Sequence, residues 1–269
     1  MYTFPSANGT GEAGKAPGGR RWLGAVTILL VLLLWWIVAA IQVVPELFVP
    51  HPRSVWQAFV DVQTEGYRGG TLLMHLGASM ARLGQGYVLA VLTAVPLGLM
   101  MGMSRTVRAL VNPLLEFYRP LPPLAYYTLL IVWLGIGDES KVALLYLAAF
   151  PPLVINAMAA VESLSPQRVE TALSLGARRR DVVFRVMLPS CLPQIFTGMR
   201  IAVGFTYTTL VSSEIVAAAN GIGWMVLDAG RFLRTDVIFV AIIVMGLTGV
   251  ALDSLIRFAE ARLVPWKGH

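Results

Sequence analysis

The chain has 269 residues, of which 57% are hydrophobic and 13% charged, and its mean hydropathy is +0.70. A soluble domain is roughly a quarter charged, so this composition excludes an ordinary globular protein and indicates an all-α membrane protein with repeated apolar runs of about 20 residues. The formal net charge of +6 does not indicate a nucleic-acid partner, because the basic residues flank apolar runs, where membrane topology accounts for them.

Residues 1–19 are rich in Gly, Ala and Pro and read as a disordered tail. They include Gly9-Thr10-Gly11-Glu12-Ala13-Gly14-Lys15, which fits the phosphate-binding pattern G-x-x-x-x-G-K. Ala16 follows where Ser or Thr would reach the magnesium, no strand precedes the motif and no soluble helix follows, so no nucleotide site is expected. Arg20-Arg21 anchor a first span, Trp22–Val44. A cleaved signal peptide competes through the small residues Val38-Ala39-Ala40. The apolar run exceeds the roughly 7–15 residues of a signal core, however, and a retained span is preferred. The single cysteine, Cys191, permits no internal disulfide. His51, His75 and His269 lack metal-ligand spacing, so neither metal nor cofactor is expected.

Ser54-Val55-Trp56-Gln57 has the form of a capping box, starting a short amphipathic helix to about Val62 that lies along the membrane surface. Thr71–Ser104 is too long for a simple crossing and carries Arg82. It predicts an interfacial start and a crossing from about Gly84 to Met103, with Gly77, Gly84, Gly86, Gly98 and Gly102 permitting close helix contacts. Arg105, Arg108 and Arg119 then occupy a loop and short helix ahead of Pro120-Leu121-Pro122-Pro123. A short third span, about Leu124–Ile136, begins at these prolines. Gly137-Asp138-Glu139-Ser140-Lys141 turns into a fourth, about Val142–Val161, bent at Pro151-Pro152. The fifth span, about Ile195–Val216, carries Arg200; the loop Glu214–Asp236 leads to the sixth, about Val237–Phe258.

Between the fourth and fifth spans lies the polar, basic stretch Ser165–Pro189. Ser165 and Pro166 form a helix start, the serine as cap, and Val169, Ala172 and Leu173 make one apolar face. Gly176 ends that helix, Arg178-Arg179-Arg180-Asp181 restarts the chain, and a second stripe, Val182, Val183, Val186 and Met187, is stopped by Pro189. Two short helices hinged at a glycine are expected.

Six spans place both termini on one side. That side would hold Lys15, Arg20, Arg21, Arg105, Arg108, Arg119, Arg168, Arg178, Arg179, Arg180, Arg185, Arg257, Arg262 and Lys267, against Arg53, Arg68, Lys141, Arg231 and Arg234 on the other. Fourteen against five, with Arg82 and Arg200 unassigned, predicts cytoplasmic termini and a cytoplasmic Ser165–Pro189 stretch.

Glu170-Thr171-Ala172, followed after three residues by Gly176 and after nine more by Val186-Met187-Leu188-Pro189, resembles the coupling loop of integral-membrane subunits of ATP-binding-cassette importers. That pattern reads E-A-A, three residues, Gly, nine residues, Ile, one residue, Leu-Pro; Thr171 and Val186 depart mildly from it. Tyr118-Arg119-Pro120-Leu121-Pro122-Pro123, Trp133-Leu134-Gly135-Ile136-Gly137 and Leu210-Val211-Ser212-Ser213-Glu214 resemble the nitrate/sulfonate/taurine branch of this family. Gly221-Ile222-Gly223 and Leu263-Val264-Pro265-Trp266 are most similar to its taurine permeases, whereas Tyr126-Tyr127-Thr128 departs from the usual Trp and Pro.

The resemblance implies a six-span type I importer permease in a bacterial inner membrane. It would pair with a second copy and work with two cytoplasmic ABC ATPase subunits and an extracytoplasmic substrate-binding protein, importing taurine or a similar small sulfonate. Nitrate, bicarbonate or another organosulfonate are the alternatives; a channel or a transporter not driven by ATP is the alternative of another class. The ATPase-coupling residues implied are Glu170, Ala172, Leu173, Gly176, Val186, Leu188 and Pro189, with Glu170 pairing a basic group of the ATPase or capping backbone. Tyr207, Thr208, Thr209, Ser212 and Ser213 make the fifth span unusually polar, suited to a translocation path or to polar helix packing. Arg82 and Arg200 are expected to snorkel near interfacial ends, with anion attraction as the second reading of each. Glu214 is expected to hydrogen-bond structurally, since it would repel an anion. No catalytic residue is expected, and no membrane enzyme, because no His, Asp or Glu cluster lies at bilayer depth.

Overall fold

A computed structural model describes residues 21–41 and 44–266. The expected disordered tail with its G-x-x-x-x-G-K motif, and Lys267, lie outside the described residues. The chain forms two compact units, residues 1–53 and 54–269. In the first, helix α1 (Arg21–Ile41) is long and apolar enough from Trp22 onward to cross a membrane, and the Trp35 indole N–H donates to the Pro50 carbonyl at 3.1 Å.

Ten further α-helices complete the described residues: α2 (Pro52–Thr64), α3 (Leu72–Met103), α4 (Arg105–Tyr118), α5 (Pro123–Leu134), α6 (Asp138–Glu162), α7 (Pro166–Ser174), the single turn α8 (Arg179–Asp181), α9 (Leu188–Ala217), α10 (Ile222–Arg231) and α11 (Thr235–Leu263). Because α2 begins at Pro52, Ser54 lies inside its first turn and not at the cap position, which His51 takes, its Nδ1 accepting from Arg53 N–H at 3.2 Å. Thr71 caps Met74 N–H at 3.3 Å, and α3 runs unbroken for 32 residues.

The core is the pair α3 and α6. Gly86, Ala90, Ala94, Gly98 and Gly102 recur every four residues on α3, and one face of a helix repeats at that spacing. A Cβ at Gly86 would sit 2.7 Å from Leu145 Cβ, one at Gly102 2.5 Å from Val161 Cβ, and one at Gly98 inside the Val154 carbonyl of α6. Gly77 and Gly84, also expected at contacts, face open space. On the other side of α6, Gly198 of α9 lies against Asn156. Small residues matter here because, without water to expel, helices in lipid associate through close packing.

Five helical stretches are long and apolar enough to cross a membrane: Trp22–Ile41, Leu72–Met103, Asp138–Glu162, Arg179–Ala217 and Thr235–Leu263. The sixth expected span is α5, with 12 residues, about 18 Å at 1.5 Å per residue. Helix α4 supplies the remaining length. Arg108 pairs with Glu162 at one end of α6, Leu115 packs with Ala149 and Leu153 at its middle, Tyr127 and Leu130 pack with Leu144, and the Ile136 carbonyl meets Lys141 Nζ at the other end. Residues 105–136 thus run the whole length of α6 as two helices, broken at Arg119–Pro122. Charge counting assigns Arg119, at the end of the short helix, to the same side as the termini. Instead it lies beside Ala148, Pro151 and Pro152, halfway along α6. Removing it leaves the arginine and lysine asymmetry at thirteen against five.

Candidate translocation path and coupling segment

The Ser165–Pro189 stretch begins as its sequence suggests. Ser165 is extended (φ −67°, ψ 129°) and Pro166 opens α7, but the serine hydroxyl makes no capping bond, so the expected cap is absent. The C-terminus closes as a Schellman motif: Gly176 N–H donates to Leu173 O at 2.9 Å and Ala177 N–H to Ala172 O at 3.1 Å, with Gly176 at φ +85°. Glu170 is exposed, and its carboxylate has no hydrogen bond or ion pair among the described residues. Ala172 is half-buried, while Leu173 and Leu175 are 43% and 83% exposed.

The second half departs from expectation. No separate helix ends at Pro189. The chain winds through α8 into a π-helical stretch, Val182–Met187, and continues without a stop into α9, with Pro189 in the first turn of the latter. Leu188 N–H donates to Val183 O, five residues back. Proline lacks an N–H and its ring crowds the carbonyl four residues earlier. A local π register places that imino nitrogen where no bond is missed. Val186, Leu188 and Pro189 are half-buried, Val182 is buried, and Phe184 is 59% exposed.

The polar residues of α9 divide by face. Thr208, Thr209 and Ser212 line a cavity of about 200 Å³ with Pro122, Pro123, Leu124 and Phe205. It adjoins a larger one, about 320 Å³, walled by Tyr118, Arg119, Tyr126, Asn156, Ile201 and Phe205 among others. Pro123 and Phe205 belong to both. Tyr207 faces away, its hydroxyl donating to Met245 O at 3.0 Å on α11. Arg200 pairs with Asp253 of α11 at 2.8 Å. Ser213 is fully buried and donates to Leu210 O. Three of the seven path candidates therefore line a cavity, Tyr207 and Arg200 tie α9 to α11, and Ser213 bonds within its own helix.

Glu214 is 1% exposed and lies in a network that the sequence does not announce. Its Oε1 accepts from Arg82 Nη1 and from Ser79 Oγ, both at 2.7 Å, and its Oε2 accepts from Gly223 N–H at 2.9 Å. Ile222 N–H donates to Ser79 Oγ at 3.0 Å, and Gly221 N–H to His75 Nδ1 at 3.2 Å. With Nδ1 accepting, His75 Nε2 carries the proton and donates to Tyr67 O at 3.0 Å. Gly221 has φ +116°, and a Cβ there would strike the Glu214 carboxylate at 2.5 Å, so Gly221-Ile222-Gly223 is the cradle of that carboxylate. Arg82 does not snorkel. It is 4% exposed and bonds Glu214, Asp138 Oδ1 at 2.8 Å and the Asn220 side chain, joining α3, α6 and α9. Beside it Lys141, 2% exposed, donates to Ile136 O and Gly137 O.

Helix α10 lies within what reads as a charged loop. Its signal was Ile222, Met225 and Ala229 at helical spacing, all buried. Near its end Asp228 accepts from the Tyr67 hydroxyl at 2.8 Å and pairs with Arg68; burial and then this carboxylate push the Tyr67 hydroxyl up to about 12. No cluster of three or more metal-ligating side chains occurs among the described residues.

The family model described as a binding-protein-dependent transport system inner membrane component matches residues 94–265. The taurine transport system permease protein TauC of Escherichia coli is 42% identical over 244 residues, covering 90% of this chain and 89% of that protein. The nitrate import permease protein NrtB of Synechococcus elongatus is 29% identical over 266 residues, covering 95% and 91%. An inward-facing structure of the MetNI methionine ABC transporter aligns with a TM-score of 0.56 at 21% identity, covering 72% of this chain and 94% of that one, which concerns the fold alone. The matched segment runs from the middle of α3 through the end of α11 and includes the whole coupling stretch and both cavities' α9 wall. This multi-pass chain therefore belongs to the binding-protein-dependent transport system inner membrane components, the permeases of ABC importers.

Proposed function

We propose that this permease imports taurine or a similar small sulfonate, driven by ATP hydrolysed on partner subunits. The observation that carries the cargo is the 42% identity to the E. coli taurine permease over nine-tenths of both chains, against 29% for the nitrate permease. The chain itself hydrolyses nothing. It pairs with a second copy, which closes the open side of the α9 groove where Ile201 and Phe205 are about half exposed. Two cytoplasmic ATPases dock on the Glu170–Pro189 segment, and an extracytoplasmic binding protein delivers the substrate. Both termini face the cytoplasm of a bacterial cell.

The exposed segment suits this coupling. Leu173, Leu175 and Phe184 present apolar surface to a groove, and Glu170 keeps a free carboxylate for a basic group there. Because the segment continues through the π turn into α9, a push on α7 is delivered to the helix whose Thr208, Thr209 and Ser212 line the cavity. Deleting the gene should abolish growth on taurine as sole sulfur source while leaving growth on sulfate intact, and the complex in proteoliposomes should take up labelled taurine only with ATP and the binding protein. Undiminished taurine growth of the deletion strain, in the absence of a second taurine system, would refute the cargo. Taurine flux through the chain alone would refute the coupling.

A further inference from the structure

The break between α4 and α5 contains a cation that the coupling and α9 residues leave unused. Arg119 lines the 320 Å³ cavity beside Ala148, Pro151 and Ile155, halfway along α6 and so at mid-depth of the helical bundle. A charge at that depth is costly unless it faces a cavity or a partner. Arg108 and Arg200 are ion-paired at Glu162 and Asp253, but the Arg119 guanidinium has no hydrogen bond or ion pair among the described residues. No Asp or Glu lines the cavity.

Neutral donors surround it. Tyr118 and Tyr126 share one hydroxyl–hydroxyl bond at 2.6 Å, which uses one of their two protons and leaves the other to donate. Asn156 donates one N–H to Pro152 O at 2.8 Å and keeps a second. The remaining wall is mostly aliphatic or aromatic, and through Pro123 and Phe205 it meets the hydroxyl-lined chamber of Thr208, Thr209 and Ser212.

We propose that Arg119 is the anion-binding residue of the translocation path, holding the oxyanion end of the cargo at mid-depth while Tyr126, Tyr118 and Asn156 serve as neutral donors. A planar guanidinium matches the paired oxygens of a sulfonate. A single cation in an open-sided groove also binds weakly enough to release, as a transport path requires. This rests on the importer reading, and names the residue that meets the anionic end of its cargo.

The test uses the complete complex in inverted membrane vesicles, with Cys191→Ala and Ile155→Cys so that one cysteine lines the cavity. Labelling by the anionic reagent 2-sulfonatoethyl methanethiosulfonate is compared with that by its trimethylammonium counterpart. Arg119→Gln should lower the anion-to-cation rate ratio about tenfold, Arg119→Lys should keep most of it, and taurine should slow anionic labelling only where residue 119 is basic. In the native-cysteine background, Arg119→Gln should cut taurine uptake about tenfold and Arg119→Lys restore most of it, with both variants co-purifying with the ATPases. A rate ratio unmoved by Arg119→Gln overturns the proposal. So does a loss of uptake shared equally by Gln and Lys, which would mark Arg119 as structural. If the wild-type complex imports no sulfonate but the ratio still depends on Arg119, the cargo reading fails and the anion site stands.

Discussion

Arg82 Nη1 and Glu214 Oε1 meet at 2.7 Å across 132 positions of sequence, with the two side chains 4% and 1% exposed. Each charge is acceptable there because of the other, and because Ser79, Gly223, Asn220 and Asp138 occupy the remaining hydrogen-bonding directions. Losing one partner leaves a buried, uncompensated charge. Arg82→Leu or Glu214→Leu alone should destabilise the detergent-solubilised complex by about 3–5 kcal/mol, and the double substitution by clearly less than the sum. Thermal unfolding of all three checks this; strict additivity would show that the pair does not couple.

At the α3–α6 contact two glycines of one helix should respond oppositely to alanine. Gly98 faces the Val154 carbonyl of α6, so Gly98→Ala should cost about 1–3 kcal/mol through forced separation of the helices. Gly84 faces open space, and Gly84→Ala should be neutral or stabilising by up to about 1 kcal/mol, the gain in helix propensity. Melting temperatures of the two variants in the same detergent provide the comparison.

Gly176, at φ +85° with nothing within 4 Å of a would-be Cβ, is constrained by backbone conformation and not by space. Any side chain there costs about 1–2 kcal/mol of left-handed strain, which reorients α7 against the π turn. Gly176→Asp should abolish uptake while the protein remains in the membrane at near wild-type amount. Normal uptake by this variant would exclude the segment as the ATPase dock.

Leu175 is 83% exposed and contributes nothing to the fold of a lone chain. Leu175→Glu should leave the melting temperature of the isolated permease within a degree or so of wild type, as surface substitutions do, yet reduce co-purification with the ATPase subunits several-fold. Co-purification at wild-type level would place the docking surface elsewhere.

Thr208 and Tyr207 are adjacent but face opposite ways. Thr208→Trp should obstruct the cavity and cut taurine uptake strongly with little effect on stability. Tyr207→Phe should instead lose the bond to Met245 O, at about 1 kcal/mol of stability, with uptake nearly unchanged. The reverse pattern, measured by uptake and thermal unfolding, would exchange the faces assigned to them.

Much of this molecule can be read along the chain because lipid imposes a local rule: every spanning segment must satisfy its own backbone, so apolar length announces a helix. The five long spans, the short α5 after its prolines, the glycine hinge at 176 and the spacing from Glu170 to Pro189 are properties of contiguous residues. Local rules also misled where two of them competed. Pro189 looked like a stop until a π register absorbed it, and Ser54 looked like a cap until Pro52 started the helix earlier. What depends on partners distant in sequence needed the tertiary structure. Arg82 reads as a snorkelling residue because nothing near it in the chain reveals Glu214, and Arg119 reads as one more arginine of the terminal side because only the folded bundle brings the α4–α5 break beside the middle of α6. The same holds for α9, whose run of hydroxyls is uniform in sequence: Thr208, Thr209 and Ser212 face the cavity, while Tyr207, Ser213 and Glu214 are taken up by bonds and packing within the bundle. Composition determined that this is a helical membrane protein and where its helices run; the packing of those helices decided which polar groups hold the bundle together and which are left for cargo.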